Sequence, residues 1–153
     1  MTRYETLLLI HVVMAVVWVG GGAALNILAV RVVSAGSPER TVGFARDVEW
    51  VGTRVFAPAS LLALGSGVWA ASEGDWSFGD PWISMGFAGW AFSFLVGMLF
   101  IGPQSGRVSR VVAAEGPSSP AAQAGIRRIL LVSRVELLVL LVVIWAMVAK
   151  PGL

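Results

Sequence analysis

Cysteine is absent from the chain, which removes disulfides, thiolate metal centres and cysteine nucleophiles. Charge is scarce: Asp, Glu, Lys and Arg make up 13% of the 153 residues, against roughly 25% in a soluble domain. There is one histidine, His11, set inside the apolar run "LLLIHVVMAVVW". With that single imidazole at lipid depth, a serine triad is excluded, and no phosphate loop, dinucleotide fingerprint or pair of catalytic carboxylates is present. What fills the chain is apolar, 57% of all residues.

Four stretches carry most of it, approximately Tyr4 to Val33, Trp50 to Ser72, Trp82 to Pro103 and Ile129 to Ala149. Each reaches or approaches the roughly 18 residues that cross a hydrocarbon core about 30 Å thick. The first starts behind Arg3 as a signal peptide would. Its apolar character continues through Leu25, Ile27, Leu28 and Val30, beyond the roughly 7–15 residues of a signal core, so it reads as a helix. The prediction is an all-α integral membrane protein, an antiparallel four-helix bundle forming a single domain over residues 1–153.

The arginines set its orientation. Arg31, Arg40, Arg46 and Arg54 lie in or beside the first connection, and Arg107, Arg110, Arg127, Arg128 and Arg134 in or beside the third; the middle one carries Glu73, Asp75 and Asp80 and no base. The positive-inside rule places connections one and three in the cytoplasm, N-out and C-out, in a bacterial plasma (inner) membrane. The basic residues thus reflect topology, and the partner they imply is the lipid bilayer rather than nucleic acid. "SAGSPERTVGFARDVEW" opens with turn residues and returns as a short cytoplasmic helix before helix 2. Gly116, Pro117, Ser118, Ser119 and Pro120 break the third connection.

Polar groups inside a span cost about 2.5–3.5 kcal/mol on insertion scales, so each needs a reason. At about 1.5 Å per residue His11 lies roughly 10 Å inside the outer end of its helix, with Met14 and Trp18 on the same face. Met147 and Lys150 close the fourth helix and Met85 lies one turn into the third, at comparable depth. An imidazole with thioethers suits Cu(I), from His11, Met14, Met85 and Met147, and a histidine with a methionine also holds haem iron. The simpler alternative leaves the methionines as gap fillers and His11 bonded to a backbone carbonyl. On the opposite side, Asp47 and Arg54 share a face of the second helix, and Arg134 and Glu136 enter the fourth. Arg54 and Glu136 read as an intramembrane ion pair fixing register, or as part of a proton path or anion site, with Asn26 and Arg31 able to join.

The segments "LLLIHVVMAVVWVGGGAALN", "EWVGTRVFAPASLLALGSGVW", "GDWSFGDPW" and "VELLVLLVVIWAMVAKPG" together resemble the bacterial membrane family called domain of unknown function 2269. More distantly the chain is similar to the HemJ-type protoporphyrinogen oxidases, through His11, Trp18 and Gly20, Pro58 to Trp69, Gly106-Arg107 and Lys150-Pro151. That resemblance implies haem b, with His11 as axial ligand and Lys150 meeting a propionate or substrate as the catalytic candidate; by face and depth Met14, Trp18 and Met147 join His11 as cofactor-binding candidates. Those oxidases carry further histidines where this chain reads "ALNILAVRVVS" and "FLVGMLFIGPQSG". A haem here therefore takes Met14, Met85 or Met147 as second ligand or keeps an open position. The CopD-type copper-resistance family shares the outline of histidine and tryptophan in a helix. The expected function is a haem-binding redox protein; the alternatives are copper handling or a non-catalytic membrane subunit, whose small-residue faces are compatible with a homodimer.

Overall fold

The computed structural model describes residues 1–152 as four long helices: α1 Arg3–Ser34, α2 Pro38–Glu73, α3 Pro81–Glu115 and α4 Pro120–Ala149. Each is long and apolar enough to cross a membrane, and there is no strand among the described residues. Local chemistry sets their starts by satisfying N–H groups that have no partner within the helix. Thr2 and Glu5 form a reciprocal capping box on α1. Ser37 accepts from Arg40 N–H and Ser119 from Ala122 N–H, each just before a proline in the first turn where its missing N–H costs nothing. At the far end α3 stops at Gly116, whose φ of 85° suits glycine.

The helices outrun the apolar stretches. The separate helix expected before the second span is fused to it, because nothing between Val51 and Ala57 ends the helix. A π turn, Gly52–Phe56, carries the chain through. α3 likewise continues through the π turn Gly97–Ile101 to Glu115, and α1 has a third at Val16–Gly20. Two of the three have a visible cause. Pro58 and Pro103 stand two residues beyond their ends, and a proline inside a helix lacks its N–H and presses its ring on the carbonyl four residues back. Moving to the wider spacing, with Ala57 N–H bonded to Gly52 O and Gly102 N–H to Gly97 O, loosens that turn.

Two packed layers result. In one, the first half of α1 lies along the second half of α2 and the first half of α3 along α4. Its core is Ala71, Trp82, Ile83 and Ala146, with Trp76, Met85 and Met147 against it. Buried Ala59, Ala63 and Ala70 let helices approach closely. Arg3 Nη1 pairs with Glu73 Oε1 at 3.1 Å, and Lys150 Nζ sits 4.0 Å from the Trp76 ring centroid, so both ends of the chain meet the α2–α3 turn here, at the acidic end. In the other layer, the first part of α2 packs on the last part of α3. Val108, Val112, Ala122 and Ile126 are its core, joined by Val33 and Val42. This is the basic end.

Candidate functional site

His11 lies in the groove between α1 and α2. Its Nδ1 is 2.7 Å from the Ala63 carbonyl oxygen, and because a carbonyl oxygen only accepts, Nδ1 donates. Glycine makes the room: a Cβ on Gly67 would fall 2.7 Å from that same Nδ1. The bond to a backbone carbonyl is the simpler of the readings open to the sequence.

The other outer candidates go elsewhere. Met85 and Met147 pack in the core around Trp82 and Ala146. Lys150 stacks its ammonium on Trp76 and, at 5.3 Å, on Trp82, two rings in edge-to-face contact. Trp18 belongs to a different feature, a cavity of about 770 Å³ between the two packed layers, lined from all four helices.

That cavity is walled mainly by apolar groups and touches all three π turns, through Trp18, Gly52, Phe56, Gly97 and Ile101 among others. π turns concentrate at functional sites. From α4 come Ser133, Glu136, Leu137 and Leu140, recurring at three and four residues as one helix face requires. Two side-chain bonds tie helices across it. Ser133 Oγ donates to Asn26 Oδ1 at 2.8 Å, joining α4 to α1, and Ser93 Oγ donates to Glu136 Oε1, joining α3 to α4. Asn26 Nδ2 donates to Gly22 O at 3.1 Å. Glu136 Oε2 receives no hydrogen bond from the protein and is not sealed among protein atoms.

The ion pair expected between Arg54 and Glu136 is not formed. Among the described residues the one ion pair is Arg3–Glu73; Asp47, Arg54 and Arg134 are exposed, and Glu136 has Ser93 for its partner. The reason is direction: Arg54 lies in the π turn on the outward side, where a long guanidinium stem reaches polar surroundings at less cost than it could bury.

A family model described as "Predicted integral membrane protein (DUF2269)" matches residues 5–151. The chain belongs to that family. No curated protein and no solved structure matches it. For this DUF2269 protein the cavity wall offers the Glu136 carboxyl with one open oxygen, the Asn26 amide and the Ser93 and Ser133 hydroxyls bonded to them, among mainly apolar neighbours. Such a set can accept N–H or O–H donors from a bound molecule and hold or release a proton. Of these groups the sequence singled out Glu136 and Asn26 but not Ser93 or Ser133. Serines inside helices commonly bond their own backbone, as Ser60 does to Ala57 O and Ser66 to Leu62 O, so a lone serine carries little signal.

Proposed function

We propose that this membrane protein binds a largely apolar small molecule in the cavity between its two packed layers, anchoring one donor group of that molecule on Glu136. The carrying observation is the placement of the only acidic residue of α4 on the cavity wall, with Oε1 held by Ser93 and Oε2 free. A carboxyl at lipid depth is costly and is by default functional, and the volume lies within the roughly 300–1,000 Å³ of ligand pockets. Protein purified in native-lipid discs should carry a small molecule detectable by native mass spectrometry. Glu136→Gln should keep the helical content and lose at least about nine-tenths of that occupancy, which requires affinity to weaken at least tenfold, about 1.4 kcal/mol or more. Wild-type protein with nothing bound, or Glu136→Gln with undiminished occupancy, overturns the reading.

A second reading keeps haem b at His11, with a redox role on the pattern of the HemJ-type oxidases. It is supported by the Nδ1 bond to Ala63, which fixes ring and tautomer and leaves Nε2 for iron, as partners of metal-bound histidines do. The residues fit one axial ligand. Met14, two positions short of the π turn, is the sulfur on the same helix, whereas Met85 and Met147 are engaged in the α3–α4 core and Lys150 by two indoles. Bound haem would supply one-electron chemistry; the chain's part is to orient His11 through its bond to Ala63. A Soret band after haem supplementation that disappears in His11→Ala supports it, and no band in wild type sinks it. Copper on His11 with Met14, Met85 and Met147 is the narrower variant, tested by metal analysis of protein from copper-fed cells.

The same proposal takes the helices as antiparallel, with the basic end in the cytoplasm of a bacterial cell and both termini outside.

A further inference from the structure

We infer that the cavity opens sideways into the bilayer between α2 and α3, so that its ligand arrives dissolved in the membrane, with an apolar body and an N–H or O–H donor. This rests on the reading of the cavity as a ligand site and adds where the ligand comes from. The observation is which wall residues are exposed. Every lining residue from α1 and α4 is buried or half-buried; the exposed ones are Glu49 and Thr53 on α2 and Met98, Pro103 and Arg110 on α3. The exposed part of the wall thus belongs to α2 and α3 alone, the two helices on either side of the inferred seam.

That seam is kept open by the backbone. Gly52 and Gly97 both line the cavity, each begins a π turn, and a Cβ built on either would meet nothing within 4 Å. At the first residue of each turn the cavity wall therefore carries no side chain and has room for one. Thr53, Met98 and Pro103 lie within the apolar stretches, while Glu49 and Arg110 lie beyond them at the basic end. The mouth thus has an apolar lip at hydrocarbon depth and a charged lip towards the interface. A molecule dissolved in lipid meets the apolar lip without leaving its solvent, and Glu136 inside receives its donor group.

Glu136 itself supplies the test. Dicyclohexylcarbodiimide is lipid-soluble: the carboxyl O–H adds across one of its C=N bonds, giving an O-acylisourea that rearranges to a stable N-acylurea. The full chain in phosphatidylcholine vesicles would be treated with this reagent or with a cationic, water-soluble carbodiimide, and labelling at Glu136 followed by intact mass and peptide mapping. Dicyclohexylcarbodiimide should label Glu136 at least about tenfold faster than the water-soluble reagent, equivalent to about 1.4 kcal/mol in barrier, and Glu136→Gln should abolish that label. Gly97→Leu and, separately, Met98→Trp should each slow it severalfold; with two plugs at exposed or open positions, a folding defect in one leaves the other informative. Equal rates for the two reagents, no slowing by either plug, or a Glu136 that neither reagent reaches overturns the inference. Because the reagent reports the opening and not the natural occupant, labelling as expected in a protein that carries no small molecule would reject the proposed function and leave the mouth standing.

Discussion

At the scale of single residues, His11 fits closely against Gly67. The imidazole can reach the Ala63 carbonyl only because position 67 has no side chain; a Cβ there would stand 2.7 Å from Nδ1 and 2.9 Å from Cε1, closer than such atoms approach. Gly67→Ala should therefore push the ring off the carbonyl and cost about 1–3 kcal/mol of overpacking strain. His11→Ala should lose only the hydrogen bond and some contact, about 0.5–2 kcal/mol in a membrane protein. Combined, the two should cost less than their sum, since alanine at 67 then has room. Helicity followed through thermal unfolding in mild detergent measures all three, and strict additivity would mean that ring and glycine are not in contact. Gly86 makes a useful comparison, because there the obstacle is the flexible tip of Met147: Gly86→Ala should be milder than Gly67→Ala. This residue also marks a limit of the sequence. It showed a polar group in an expensive place, but the carbonyl that satisfies it is 52 positions away, and no spacing within one helix reveals that.

At the scale of elements, the four helices were legible because apolar length alone separates a span from everything else in so small a chain. The joins were not. "ERTVGFARDVEW" is polar enough to read as a separate helix, and Gly52 and Pro58 look like a break, yet the chain resolves the proline by inserting a wider turn. A π turn holds one residue more than an α turn, so the faces before and after it are out of phase by about 100°. On either side of that offset α2 lines one cavity, with Gly52 and Thr53 in the π turn and Ala57 and Ser60 beyond it. Restoring the regular helix should be good for stability and bad for the cavity. Pro58→Ala and Pro103→Ala should each stabilise by on the order of 1 kcal/mol, since an interior proline costs up to about 3, while lowering the occupancy of the small molecule found with wild-type protein. Thermal midpoint and native mass spectrometry on the same sample separate the two effects; stability and occupancy falling together would show that the π turns serve packing alone. Glu136 illustrates the same limit from the site's side: its place within an apolar helix was readable, but the serine that holds it stands on another helix.

At the scale of the whole molecule, the two ends differ in charge, and that difference decides which leaflet feeds the cavity. Nine arginines lie at or beside the two connections of the basic end, while the α2–α3 turn carries Glu73, Asp75 and Asp80. Basic residues in short loops resist translocation, so the basic end should face the cytoplasm. The absence of cysteine makes this directly testable. Ser77 in the α2–α3 turn and Ser118 in the α3–α4 connection are both exposed, and each can be replaced by cysteine as the only thiol in the chain. In intact cells whose outer membrane has been opened, a membrane-impermeant maleimide should label Ser77→Cys, and should label Ser118→Cys only after the inner membrane is permeabilised. The opposite pattern would invert the molecule. Glu49 and Arg110 lie on the basic side of the mouth, so the expected labelling also makes the cytoplasmic leaflet the source of whatever reaches Glu136. Carbodiimide incorporated only into that leaflet should then modify Glu136 faster than reagent confined to the outer one.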